Sequence, residues 1–193
     1  MGEIRKLQPP LTEADVRSLN VGDEVLITGV IYGARDMAHK RLCQAIDSGA
    51  ELPFALEGAI IYFVGPTPAP PLSSFVRQER GEDAGARPGR VIGAAGPTTS
   101  SRMDSFSTKL IAKGLKATIG KGYRNAEVRE ALKKYGAVHL STIGGAGALL
   151  SKHIVAAEVI AYEELGTEAI RKLQVVDFPA IVAYDSHGNS VYK

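Results

Sequence analysis

Residues 24–48 decide the fold class: Glu24-Val25-Leu26-Ile27-Thr28-Gly29-Val30-Ile31-Tyr32-Gly33, then Ala34-Arg35-Asp36-Met37-Ala38-His39-Lys40-Arg41-Leu42-Cys43-Gln44-Ala45-Ile46-Asp47-Ser48. The first nine residues are apolar and rich in β-branched side chains, which is the composition of a strand. Gly33 breaks that run. From 35 to 48 the apolar residues Met37, Leu42, Ala45 and Ile46 recur at helical spacing, and Ser48-Gly49 ends the helix. A strand that hands over to a helix through a glycine and a polar cluster is the repeating unit of an α/β fold.

The same alternation continues outward. Gly58–Gly65 predicts a second buried strand, regular structure is expected again at Arg90–Gly96, and a helix follows at about 101–113. Lys116–Gly120 predicts a strand. Asn125 caps an amphipathic helix from Ala126 to Tyr135 that Gly136 closes, and Val138–Thr142 predicts another strand. The turn Gly144-Gly145-Ala146-Gly147 opens a short helix around 147–153, Ile154–Tyr162 is β-rich, and Phe178–Tyr192 predicts two short strands around a turn. Residues 1–20 predict an extended arm and a helical turn capped by Thr12. Pro66, Pro68, Pro70 and Pro71, followed by the charged run Arg77–Asp83, make about 67–89 a long surface loop. The expectation is one α/β domain over 1–193, with a mixed sheet and β additions at both ends.

Composition narrows the function. The chain has 193 residues, 23 Lys+Arg and 21 Asp+Glu, a formal charge of +2, and 45% apolar residues, as a globular domain does. That near-neutral balance argues against a dedicated nucleic-acid or membrane-surface binder. No apolar stretch is long enough to span a bilayer and no leader is apparent, so a cytoplasmic location is expected. The single cysteine, Cys43, excludes an internal disulfide framework and any metal or iron–sulfur site built from several thiolates of this chain. His139, His153 and His187 are dispersed, without metal-ligand spacing.

Three polar segments share one design, an apolar run and a glycine followed by anion-binding groups. They are Gly33-Ala34-Arg35-Asp36-Met37-Ala38-His39-Lys40, Gly96-Pro97-Thr98-Thr99-Ser100-Ser101-Arg102-Met103-Asp104, and Gly120-Lys121-Gly122-Tyr123-Arg124. In open α/β sheets such strand ends gather on one edge, where helix N-termini and cations suit carboxylates or phosphates. Thr98 and Arg102 lie four apart, so on a helix they share a face, and a hydroxyl beside a guanidinium can hold a carboxylate. The Ser/Thr run also reads as a helix cap, and Asp36 as a cap with Arg35 a surface charge. Lys121 stands between two glycines that permit close approach of a ligand, but the spacing of a phosphate loop is absent. Gly144–Ala148 reads as close helix–sheet packing, and Cys43 as a buried structural thiol.

These segments, together with Gly144-Gly145-Ala146-Gly147-Ala148 and Asp177-Phe178-Pro179-Ala180, resemble the β subunit or C-terminal domain of class I fumarases and L-tartrate dehydratases, iron–sulfur-dependent hydro-lyases. The likeness runs in family order over about residues 10–192, and the 67–89 loop is longer than the family pattern. The resemblance implies a swivelling β/β/α domain and a reversible addition or removal of water. It implies a [4Fe-4S] cluster, acting as a Lewis acid on the substrate hydroxyl, ligated by three cysteines of an α subunit and not by this chain. It implies a small dicarboxylate substrate and a hetero-oligomer of the α2β2 kind, with no metal ligand here. By motif match Arg35, Thr98, Thr99, Arg102 and Lys121 bind substrate. Asp36 and Thr98 are the candidates for proton transfer, with His39 a weaker helper. The leading reading is fumarate hydration to malate; the alternatives are a tartrate dehydratase β subunit, a non-catalytic dicarboxylate-binding domain, and a cofactor-independent enzyme using Asp36 and a threonine.

Overall fold

A computed structural model describes residues 4–68, 91–142 and 144–192, so the expected loop at about 67–89 lies almost wholly outside the described residues. Seven strands form one mixed sheet: β1 (Arg5–Leu7), β2 (Glu24–Gly33), β3 (Ile60–Tyr62), β4 (Ala117–Gly120), β5 (Val138–Ser141), β6 (Ile154–Ala161) and β7 (Ile170–Tyr184). The helices are α1 (Glu13–Arg17), α2 (Asp36–Ser48), α3 (Asp104–Ala112), α4 (Ala126–Tyr135) and α5 (Gly147–Leu150), with 3-10 segments at Ser100–Met103, Ser151–His153 and Glu163–Glu168.

The strand order is β1-β2-β3-β4-β5-β7-β6, and an additional β2–β7 pairing closes β2, β3, β4, β5 and β7 into a ring. β2 to β5 run parallel, while β7 is antiparallel to β2, β5 and β6. Strand alternation then divides the apolar residues between two cores. Ile60 and Tyr62 of β3, Ile119 of β4 and Leu140 of β5 point inward, to meet Val25, Ile31, Leu173 and Phe178. Ile61 and Phe63 point the other way, to meet Leu42 of α2, Leu110 and Ile111 of α3, and Leu132 of α4. The result is a β/β/α layering with one core inside the ring and one under the helices. Full burial of side chains such as Phe63, Leu110 and Ile111 contributes about 1.5–3 kcal/mol each by removal from water.

Local signals explain the elements that matched expectation. Thr12 closes a capping box with Asp15 at the start of α1. Asn125 accepts from the N–H of Val128, and Gly136, left-handed at φ 60°, ends α4. Gly49 does the same for α2.

Two expectations need correction. Val91–Gly96 is not regular structure; it is irregular backbone held by Thr67, whose C=O accepts from Gly93 N–H and whose N–H donates to Ala94 O, and by the Ala95 N–H bond to Gly147 O. The two short strands expected over Phe178–Tyr192 are instead one 15-residue strand, β7, that starts at Ile170 and ends in an isolated Tyr184–Ser190 bridge. Its polar residues Arg171, Lys172 and Gln174 hide it from an apolar pattern, because β7 is a strand bonded on both edges but covered on one face. Asp177, with φ 48°, marks an irregular register against β2, and Thr28 accepts from its N–H, so this motif serves the sheet.

Candidate functional site

The parallel strands β2, β3 and β4 lie side by side, so the segments leaving their C-terminal ends share one edge. Arg35 and Asp36 follow β2 at the start of α2. The Gly96–Asp104 segment reaches the same edge by docking on β3, where the Thr98 N–H donates to Phe63 O at 2.7 Å. Lys121 follows β4, and its N–H donates to Thr98 O at 3.2 Å while Ser100 N–H donates to Lys121 O at 2.8 Å. Thr99 and Lys121 form an isolated parallel bridge.

This docking corrects the expectation that Thr98 and Arg102 share a helix face. The 3-10 segment begins only at Ser100, and Thr98 and Thr99 are extended backbone bonded sideways to β3 and Lys121. The two residues nevertheless belong to one edge. Thr98 is buried, whereas Thr99, Arg102 and Lys121 are exposed.

Asp36 sits between two guanidiniums. Its Oδ1 accepts from Arg102 Nε at 2.9 Å, and its Oδ2 lies 3.4 Å from Arg35 Nε without a hydrogen bond. Arg102 keeps half of its side chain in solvent. Among the described residues no carboxylate pairs with Lys121, whose chain runs beside Gly144, 3.5 Å from where a Cβ there would stand. Three cations, the Asp36 carboxylate and two threonines therefore gather on the edge, and with the Glu168 carboxylate behind Arg35 the cations still exceed the carboxylates by one. The excess positive charge suits a small polyanion with planar carboxylates.

The glycines have specific reasons. Gly122 has φ +80°, a conformation that lets the chain turn immediately after Lys121. Gly147 carries the α5 start against the site loop: a Cβ there would stand 2.8 Å from Gly96 N, so the close packing is of helix on this irregular loop rather than on the sheet.

His39 is fully buried. It is edge-on to Phe63, its Nδ1–H donates to Arg35 O at 3.1 Å, and its Nε2 has no partner. Burial lowers its pKa to about 4, so the imidazole is neutral and packs the helix onto the sheet.

Sequence reasoning missed the support beneath the edge. Arg124 is buried, donates from Nε to Asp104 Oδ1 at 2.7 Å and from Nη2 to Ser107 Oγ at 2.5 Å, and stacks over Phe63. Asp104 Oδ2 accepts from Asn125 N–H. His139 bonds Thr118 Oγ1 at 2.8 Å through Nδ1 and Ser100 Oγ at 3.1 Å through Nε2. Arg124 can only donate toward Nδ1, so Nε2 carries the proton given to Ser100. Burial and the Arg124 charge hold His139 well below its ordinary pKa. Ser100 thus anchors the 3-10 turn that carries Arg102. Thr118 and His139 occupy the helix-facing positions of β4 and β5, a period-2 placement that is the only sequence signal for them.

The donor set of this chain does not fit an iron–sulfur cluster. Cys43 is buried with Sγ directed at Phe106 O, and burial pushes its thiol pKa up. Among the described residues no group of three His, Cys, Asp or Glu could hold a metal ion, and no helix is long and apolar enough to cross a membrane.

Residues 3–193 match the family model described as Fumarase C-terminus. A Geobacillus stearothermophilus protein provisionally named fumarate hydratase class I is 40% identical over 189 residues, covering 97% of this chain and 33% of that protein. Fumarate hydratase class I, anaerobic, of Escherichia coli is 36% identical, with 97% and 32% covered. A Methanocaldococcus jannaschii protein provisionally named L(+)-tartrate dehydratase subunit beta is 37% identical, with 95% and 88% covered. The chain therefore spans about a third of the length of the two fumarate hydratases and most of the tartrate dehydratase subunit.

Proposed function

The chain belongs to the fumarase C-terminus family, a hydro-lyase family by the names of its relatives, and from that premise we propose that it is the β-type half of a two-chain hydro-lyase. Its substrate is a small dicarboxylate, and the reaction is the reversible hydration of fumarate to malate. Arg35, Arg102 and Lys121, with the Thr98 and Thr99 hydroxyls, form the substrate-binding set. One observation carries the reading: the ends of β2 and β4 and the loop docked on β3 bring three cations to one edge, two of them paired to Asp36.

Roles follow from the contacts. Both Asp36 oxygens face guanidiniums, which suits orientation of Arg102 and Arg35 better than proton transfer. Thr98 is the remaining proton-transfer candidate. A threonine hydroxyl is a weak base unaided, so Thr98 exchanges a proton with substrate carbon only beside a charge that takes or stabilises it. In this proposal the iron–sulfur cluster and the complementary acid–base group belong to a cysteine-bearing α subunit, in an α2β2 assembly. The length match to the tartrate dehydratase β subunit supports tartrate as the second substrate reading.

The test is reconstitution. The chain alone is expected to be inactive, and activity on malate and fumarate, or on tartrate, is expected only after anaerobic mixing with the cluster-loaded partner. Full turnover by this chain alone overturns the division of labour. Dicarboxylate binding without activity in any mixture favours a non-catalytic binding domain.

A further inference from the structure

We propose that Glu168 is the positioning residue that sets Arg35 for a carboxylate ligand. Glu168 ends the 3-10 segment before β7 and reaches across the fold to the start of α2. Its Oε1 accepts from Arg35 Nε at 3.3 Å and from Nη2 at 3.0 Å, and its Oε2 accepts from the Met37 N–H at 2.8 Å. One carboxylate, four-fifths buried, thus grips an edge of the guanidinium and the first turn of the helix together. Arg35 is the N-cap residue of α2 and supplies no side-chain cap itself, so Glu168 caps from outside.

The other side of the guanidinium is fixed by the chain. A Cβ at Gly65 would stand 3.1 Å from Arg35 Nη1 and 3.2 Å from Thr167 O, so any side chain there pushes the guanidinium or the backbone aside by a few tenths of an ångström. Arg35 is therefore held between a carboxylate and a bare backbone, with Nη1 left outside the Glu168 contact. The chemistry asks for a carboxylate. A glutamine has one accepting oxygen and must give up either Arg35 or Met37.

Orientation and charge make opposite demands, which makes the role decidable. Glu168 is an anion near an anion site, so loss of its charge alone tightens a dianion. Loss of the grip loosens the guanidinium and weakens the dianion.

The inference rests on the dicarboxylate reading of Arg35, and two measurements separate the two. In the assembled enzyme, Ki for succinate is expected to rise about tenfold in both Glu168→Gln and Gly65→Ala, with kcat falling less than about threefold. In the isolated chain, the Arg35 Nε–H resonance, assigned by its loss in Arg35→Lys, is expected to be slowly exchanging and to vanish in Glu168→Gln. A Ki unchanged or lowered in Glu168→Gln overturns the proposal, including when the melting temperature falls, because Glu168 is then only a helix cap or a field. If the wild-type assembly shows no succinate-sensitive turnover, the dicarboxylate reading fails. The resonance then decides the positioning by itself: a rapidly exchanging Arg35 Nε–H in wild type overturns it.

Discussion

Arg102 Nε lies 2.9 Å from Asp36 Oδ1 across 66 residues of sequence, joining the segment after β2 to the segment docked on β3. The pair is half open to solvent on the arginine side, so its contribution to stability is small and its contribution to ligand geometry large.

Arg102→Ala is therefore expected to lower kcat/KM of the assembled enzyme about a hundredfold or more, since a charge-assisted, two-pronged carboxylate contact is lost. The melting temperature should move by no more than about 2 °C, as for other exposed pairs. Steady-state kinetics and a thermal melt on the same preparation check both halves. Wild-type turnover removes Arg102 from the site.

Asp36→Asn separates orientation from proton transfer. The amide oxygen still accepts from Arg102 Nε, so an orienting Asp36 predicts a loss below about tenfold in kcat, against the 10²–10⁴-fold typical of a removed acid–base group. Asp36→Ala, which removes the acceptor as well, should cost clearly more. A thousandfold loss in the asparagine variant would assign the proton to Asp36 instead.

The buried His39 predicts an acid-sensitive fold. An unfolded chain protonates this imidazole near its ordinary value of 6.5, whereas the folded chain resists until about pH 4. The folded state binds fewer protons between those values, so stability is full above pH 6.5 and falls as pH drops toward 4. That gap corresponds to about 3 kcal/mol. Urea unfolding across this window should show the fall, and His39→Gln should flatten part of it. His139, lowered in the same direction, contributes in the same sense. A flat profile in the wild type refutes the assignment.

Arg124→Met breaks a buried ion pair with Asp104 and strips a donor from Ser107. Removal of one partner of such a pair typically costs about 3–5 kcal/mol, because the carboxylate stays buried and unpaired. Denaturant titration reads that loss. The double variant Arg124→Met with Asp104→Leu should recover part of it, whereas no recovery would show that the pair is not the source.

Much of this fold was legible because several local signals agreed. α4 carried a capping asparagine, an apolar stripe and a terminal glycine, and all three took effect. β7 did not, because Arg171, Lys172 and Gln174 are strand residues on a partly exposed, doubly bonded ribbon whose partners lie far away in sequence. Val91–Gly96 misled in the opposite sense, being apolar enough for regular structure yet irregular backbone docked on Thr67 and Gly147. At the site, the glycine-bounded segments showed where Arg35, Thr98 and Lys121 stand. Glu168 was illegible, since a single acidic residue in a polar stretch carries no period, and its partner Met37 lies 131 positions away. The inward turn of Arg124 was hidden likewise, for nothing beside it in sequence reveals that Asp104 waits below.

The closure of β2 on β7 has a kinetic consequence. Thr28 and Asp177 meet across 149 residues, so the ring depends on pairings among the most distant in the chain. Helices α2 and α4 can form early, as local elements do, but the ring waits for a large loop to close. Until it does, the β2 edge that β7 covers is open and the apolar interior is exposed, which favours aggregation of partly folded chains. After dilution from denaturant, helical signal should therefore return before ligand binding. Recovery of the site then times the last long-range pairing of the sheet.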